Sequence, residues 1–233
     1  MRMEELVQEK LRQVFRDESL IFDKSRFVGG LTNYNYIMNI QGVDYVIRQP
    51  GGMTKQMIDR RIERMNNTIA SESGVNSDCI YFDEDSGIKI STYISNSQNI
   101  ASTNPCAPAN LEAVSGLMQQ IHSIPGGFAN CFDWKLELAK YEQIIQQLNG
   151  DLFFDYEHLK QQLAAFVQEN VKSLHLVPCH NDTVPENFIL DATGKIYLID
   201  WEYAGMNDPC WDVAAYIIES RLTQEAIDLL IQH

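Results

Sequence analysis

The run His180-Asn181-Asp182-Thr183-Val184-Pro185-Glu186-Asn187, followed by Lys195-Ile196-Tyr197-Leu198-Ile199-Asp200, decides how this chain is read. It sets an Asp, an Asn five residues later and a second Asp thirteen beyond that, the last at the end of an apolar, strand-like run. Transfer of a phosphoryl group from ATP to a hydroxyl asks for this set. One carboxylate faces the acceptor hydroxyl, while an amide and a second carboxylate hold magnesium on the phosphates. A lone His-x-Asp carries little, because such pairs often cap turns. The compound pattern is far more specific, since apolar Leu176-Val177-Pro178 leads into it and Asp208-Pro209 and Asp212 follow it.

Outward from this run the chain divides into two textures. Residues 3–16 place Leu6, Val7, Leu11, Val14 and Phe15 at helical spacing. Short strands are expected at Arg26–Val28, Tyr34–Ile40 and Asp44–Gln49, the last two joined as a hairpin across Gln41-Gly42-Val43. Pro50-Gly51-Gly52 stops the third strand, and residues 54–73 read as one helix with Met57, Ile58, Ile62, Met65 and Ile69 on one face. Strands at Cys79–Asp83 and Ile88–Ile94 flank the turn Asp85-Ser86-Gly87. The segment Ser95–Asn110, rich in Ser, Asn and Pro, reads as a linker. Beyond it helices are expected at Leu111–Ile124, Asp133–Leu148, Tyr156–Leu174 and Pro209–Ser220. The fold class is therefore α+β and bilobal. A small antiparallel-sheet lobe over residues 1–94 binds nucleotide, residues 95–97 form the hinge, and a mainly helical catalytic lobe covers residues 98–233.

Composition bounds the partners. The net charge of −14 is concentrated in the second half: residues 1–97 carry 12 basic and 14 acidic residues, residues 98–233 carry 6 and 18. An acidic half is a poor nucleic-acid binder and attracts a small cationic substrate, although acidic surfaces also simply keep proteins soluble. No run approaches the roughly 18 apolar residues of a membrane span, and the N-terminus has no apolar signal region. Five scattered cysteines without a Cys-x-x-Cys pair suggest neither a zinc site nor a disulfide framework, so a cytoplasmic, reduced protein is expected. The sequence sets no oligomeric state.

Here the chain resembles a known group. His180-Asn-Asp-x-x-x-x-Asn187, Ile199-Asp200-Trp201-Glu202-Tyr203-Ala204-Gly205 and Asp208-Pro-Cys-Trp-Asp212 look like the choline/ethanolamine kinase family, with the aminoglycoside phosphotransferases and protein kinases as wider relatives. Asn181 stands where protein kinases carry Arg, which points toward kinases of small molecules. In the front half, Gly29-Gly30-Leu31-Thr32-Asn33 looks like the family's nucleotide loop, Tyr45-Val-Ile-Arg48-Gln-Pro-Gly51 like its following strand and Ile58-Asp-Arg-Arg-Ile-Glu63 like its helix. Gln119-Gln-Ile-His122 fits its central helix, and the likeness runs from about residue 26 to 220, closest to bacterial choline kinases of the phosphocholine-decoration type.

The resemblance implies ATP and Mg2+ as cofactors and choline as acceptor, with ethanolamine or an aminoglycoside as alternatives on the same fold. A non-catalytic nucleotide-binding fragment is the alternative of another class. It implies that Asp182 directs the acceptor hydroxyl and that Asn187 and Asp200 hold magnesium. Gly29, Gly30, Thr32 and Asn33 would close over the phosphates, although Gly-Gly taken alone is commonly only a turn. Arg48 would bind the phosphates in place of the usual Lys, paired to Glu63, and Thr92, Tyr93 and Ile94 would meet the adenine. Trp201, Glu202, Tyr203, Trp211 and Glu219 would surround the substrate cation, because ring faces hold a quaternary ammonium that cannot donate hydrogen bonds. His180 and Asp212 are expected to brace the loop rather than react. Leu222–His233 keeps helical periodicity without a stop, whereas family members continue through further helices, so a C-terminally truncated chain with an incomplete acceptor pocket is expected.

Overall fold

The computed structural model describes residues 2–29, 33–52 and 54–232. Five strands form one antiparallel sheet: β1 (Phe27–Gly29), β2 (Asn33–Ile40), β3 (Val43–Pro50), β4 (Cys79–Phe82) and β5 (Lys89–Thr92), in the order β1-β2-β3-β5-β4. The hairpin turn is one residue tighter than expected. Gln41 and Gly42 both have positive φ, 54° and 86°, and Val43 already pairs with Ile40. Two such residues give the turn whose twist matches that of paired strands.

Alternation along β3 sends successive side chains to opposite faces. Ile47 packs under helix α1 (Met3–Phe15), whose buried Val7 and Leu11 meet Met38, Ile40, Ile88 and Ile90. Arg48 turns to the other face and meets Glu63 on helix α3 (Arg60–Glu72). The single helix expected over 54–73 is split into α2 (Thr54–Met57) and α3, because the Asp59 carboxylate accepts from the Arg61 and Ile62 N–H groups and caps a new helix start.

The second lobe is built on α4 (Pro108–His122), whose Leu111, Val114, Leu117, Met118 and Ile121 are buried. Its first turn begins three residues earlier than expected, with Pro at the helix start. The stretch read as a linker is structured: β6 (Gln98–Asn99) and a 3-10 turn at Ile100–Ser102 lie within it, and Ile100 is wholly buried in the second core. Helix α5 (Trp134–Gln147) and helix α6 (Tyr156–Asn170), the latter ending four residues early, contain no buried residue. Leu136, Phe153, Phe154 and Phe166 stand exposed on and between them.

Two small antiparallel sheets then frame the quoted run. β7 (Val177–Cys179) pairs with β10 (Gly205–Asn207), while β6, β8 (Phe188–Leu190) and β9 (Ile196–Leu198) make a three-stranded sheet. The loop 180–187 leaves β7 and enters β8, and residues 199–204 join β9 to β10. Helices α7 (Cys210–Glu219) and α8 (Gln224–Gln232) close the lobe, with Tyr216, Ala226 and Leu230 in the α4 core. No helix among the described residues is long and apolar enough to cross a membrane.

The Asp59 cap gives a direct check. Asp59→Ala leaves two N–H groups of α3 without their side-chain acceptor and should lower stability by about 1 kcal/mol in urea unfolding, with far-UV circular dichroism unchanged.

Candidate active site

Arg48, 2% exposed, donates to three acceptor oxygens. Its Nη1 and Nη2 donate to the two Glu63 carboxylate oxygens at 2.5 and 3.1 Å, and Nη2 also donates to the Gly87 carbonyl at 3.0 Å. Arg60 approaches the same carboxylate, its Nη1 2.5 Å from Glu63 Oε2. Lys89 stands directly opposite Arg48 in the β3–β5 register. Burial works to raise the Glu63 carboxyl, but Arg48, then Lys89 and Arg60, overcome it and hold it down at about 2. Burial, and then the charge of Arg48, push Lys89 below its ordinary value. Gly87 makes this packing possible: a Cβ there would lie 2.7 Å from Arg60 Nε and 2.9 Å from Pro50 Cγ, and its φ is +76°.

The loop carrying Asp182 hangs from one buried carboxylate. Asp212, in the first turn of α7, accepts from the His180 and Asn181 N–H groups at 3.0 and 2.7 Å, and His122 Nε2 lies 3.0 Å from it. Thr183 Oγ1 donates to the Asp212 carbonyl at 2.6 Å. His180 is wholly buried, and burial lowers its pKa, so it is neutral. Its Nδ1 accepts from the Asp182 N–H at 3.3 Å, which leaves the proton on Nε2 for the Ile199 carbonyl at 3.0 Å. Asn181 adopts φ 66° and ties the loop to its neighbours, donating to the Tyr203 carbonyl at 3.0 Å and accepting from Asn207 at 2.8 Å.

Asn187 Nδ2 reaches back to the Asp182 carbonyl at 3.0 Å and to its carboxylate at 3.4 Å. Burial raises the Asp182 carboxyl above its ordinary range, and the charges of Asp200 and Glu202 add to the rise. The Ile199 N–H donates to the Asn187 carbonyl at 3.0 Å, which brings the loop alongside the segment bearing Asp200. Asp200 takes φ 69°, and its Oδ1 lies 3.7 Å from Arg48 Nη1. Asp200 Oδ1 and Arg48 Nε are both buried with no hydrogen-bond partner among the described residues. A buried carboxylate oxygen without a partner, on a segment bonded to the backbone of an amide residue, suits a hard divalent cation with oxygen ligands, so the chemistry of Asp200 and Asn187 fits magnesium.

The expected substrate-side residues do not all come together. Trp201 is 0% exposed, its ring edge-on to His180 and Phe128 and its Nε1 donating to the Leu198 carbonyl at 2.9 Å. It packs in the core and does not line the cavity beside Tyr203, which corrects the expectation. Glu202 is buried and its Oε2 accepts from Asn33 and Arg60. Tyr203 is half-buried with its hydroxyl 2.9 Å from that of Tyr141, and Trp211 leans on Phe132 at 5.3 Å while remaining 37% exposed. Glu202, Tyr203 and Phe132 line a cavity of about 120 Å3 between α3 and α5. Glu219 is exposed at the end of α7, two turns beyond Asp212 and outside the carboxylate cluster.

On the nucleotide side, Gly29 ends β1 with φ 97° and accepts from Asn35 Nδ2 at 3.3 Å; Gly30 and Thr32 lie outside the described residues. The Thr92 and Tyr93 N–H groups are bonded to the Asp78 and Asp44 carbonyls at 2.9 and 3.0 Å. The Ile94 carbonyl receives the Ser97 hydroxyl at 2.5 Å.

The family model for choline/ethanolamine kinases matches residues 25–228. The chain belongs to the choline/ethanolamine kinase family. It is 34% identical over 208 residues to the LicA protein of Haemophilus influenzae, an alignment covering 88% of this chain and 60% of that protein. The chain thus spans less than two thirds of that relative's length. Among solved structures it is similar to the choline kinase LicA of Streptococcus pneumoniae, at 29% identity and TM-score 0.84 over 99% of this chain and 79% of that one. It is similar also to LicA in complex with AMP, at 27% identity and TM-score 0.83 over 100% and 80% of the two chains.

Within this site, three residues escape a sequence reading. Arg60 looked like one charge of a polar helix, Lys89 like a strand-end lysine and Gly87 like an ordinary turn glycine. Only Lys89 left a trace, as the single charged residue of the expected strand Ile88–Ile94.

The depressed Glu63 carboxyl fixes the sign of an acid effect. Its contribution is present above the ordinary carboxylate range near 4.5 and is lost as pH falls toward about 2. Chemical unfolding across pH 5 to 2 should show this loss, and Glu63→Gln, less stable at neutral pH, should show a flatter slope in that window.

Proposed function

We propose that this chain transfers the γ-phosphoryl group of ATP to the hydroxyl of choline with magnesium bound at Asn187 and Asp200. The observation that carries the reading is the meeting of Asp182, tied to Asn187, with Asp200 and the buried Arg48. Arg48 offers a planar fork of donors that keeps its charge at any physiological pH and suits phosphate oxygens. Asp182, its carboxyl raised by burial, is the base that orients the acceptor hydroxyl and draws off its proton as the oxygen attacks. Bound magnesium supplies neutralisation of phosphate charge. Positioning and charge balance thus account for the chemistry.

The AMP complex of the similar LicA supports an adenine nucleotide as donor, and the similarity to the choline kinase LicA of Streptococcus pneumoniae supports choline as acceptor. The excess of acidic residues in the second half favours a cation, and Tyr203 and Trp211 offer ring faces. Ethanolamine, which the family name includes, is the second reading. ATP consumption against choline, ethanolamine and an aminoglycoside panel tests the assignment. Turnover with kanamycin-like polyamines and none with choline would overturn it.

Two substitutions test the roles. Asp182→Ala should cost about 10²–10⁴-fold in kcat while ATP affinity stays nearly unchanged; near-normal kcat would remove Asp182 from the chemistry. Asp200→Asn should abolish most of the magnesium-dependent gain in ATP affinity. Calorimetric titration with and without magnesium reads this, and an undiminished gain would exclude Asp200 as a ligand.

A further inference from the structure

Glu202 lies two residues past Asp200, on the segment that follows β9, yet its contacts run to the other lobe. Its side chain is only 3% exposed. Oε2 accepts from Asn33 Nδ2 at 3.1 Å and from Arg60 Nη1 at 3.3 Å. Asn33 opens β2, at the end of the stretch that resembles the nucleotide loop. Arg60 opens α3 and also holds Glu63, which in turn holds Arg48. One carboxylate oxygen of the helical lobe is therefore bonded at two points of the sheet lobe: the end of the loop and the helix that positions Arg48.

Such a placement is costly unless it does something. A carboxylate buried beside another must be held ionised by its partners. Glu202 also lines the small cavity beside Tyr203, but its Oε2 is taken by two donors of the sheet lobe. Asp200 and Glu202 are also too close in the chain to move independently. Any shift of the loop end that breaks the Asn33 bond acts on the segment carrying the proposed magnesium ligand.

We propose that Glu202 is a positioning residue for the nucleotide, a latch that couples Asn33 and Arg60 of the sheet lobe to the Asp200 segment. The proposal rests on the phosphoryl-transfer reading above. It sets Glu202 apart from the acceptor-facing residues: its loss is felt by ATP and not by the substrate alcohol.

A double-mutant cycle on the full chain tests this, with Asn33→Ala, Glu202→Ala and the pair. Magnesium-ATP affinity is measured by calorimetry, and KM for ATP, KM for choline and kcat by coupled assay. Losing a hydrogen bond to a charged group should weaken ATP binding about tenfold in each single variant. The double variant should be no weaker than either, while KM for choline and kcat at saturation stay within about threefold. Glu202→Ala leaves Arg60 its bond to Glu63, so the fold should persist; should it not, the cycle is run with Glu202→Gln, whose amide oxygen can still accept from Asn33 but brings no charge to Arg60. Glu202→Gln should fall between wild type and Glu202→Ala. Additive losses of ATP affinity would overturn the latch, as would a rise in KM for choline with ATP affinity unchanged. Because the calorimetry needs no turnover, ATP binding with an additive cycle sinks the latch alone. Failure of the unmodified chain to bind ATP sinks the functional reading with it.

Discussion

The buried ion pair between Arg48 and Glu63 is the constraint around which the front of this molecule is arranged. Neither charge is tolerable in an interior without the other, and removing one partner of such a pair commonly costs about 3–5 kcal/mol. Once Arg48 is fixed on β3, α3 must lie where Glu63 reaches it, and the Asp59 cap restarts the helix at the right place. The same carboxylate draws in Arg60, and the cluster is completed by Lys89, Asp200 and Glu202. Three cations thus face three anions, and Asp182 is a further carboxylate close to Asp200 and Glu202. A nucleotide phosphate would add negative charge beside Asp200, and magnesium would offset it.

A second carboxylate plays a comparable part for the loop carrying Asp182. Asp212 takes two successive N–H groups of the loop and the imidazole of His122, while its own carbonyl takes Thr183. The backbone from His180 to Thr183 is thereby fixed with little help from regular structure. This lets Asn181 sit at positive φ and point its amide to β10, leaving Asp182 directed elsewhere. Trp201 completes the support from below by filling the space under His180. The rings near the site thus serve different ends. The buried indole holds the loop in place, and Tyr203 and Trp211 remain at or near the surface.

Much of this was legible because local chemistry repeats at fixed spacing. Asp182, Asn187 and Asp200 announce themselves by separation and by the apolar strand between them, and the β2–β3 hairpin by a single Gly between alternating runs. What failed to show depends on distant partners. Asp59 looks like any helix residue until its carboxylate is seen to compete for backbone N–H groups. Ile100 sits in a polar stretch, and only the α4 core makes it a buried anchor. Trp201 follows a site carboxylate, so its sequence position suggests a ligand contact, while its ring lies on the opposite side of the chain among Phe128 and His180. Arg60 and Gly87 acquire meaning only where two strands and a helix converge.

The bare pair α5–α6 carries a consequence for how the molecule comes apart. A helix with no buried residue gains little from tertiary packing, and isolated helices of some 15 residues are marginal in water. Tyr156 and Lys160 hold the pair together largely through Glu142 at the surface, interactions that salt weakens. Opening of this pair should therefore be a local, low-energy excursion separate from loss of the α4 core, with its amides exchanging well before those of Leu117 or Ile121. The molecule should thus have a graded stability, with a packed α4 core and an outer hairpin whose opening breaks the Tyr141–Tyr203 contact and loosens one wall of the small cavity.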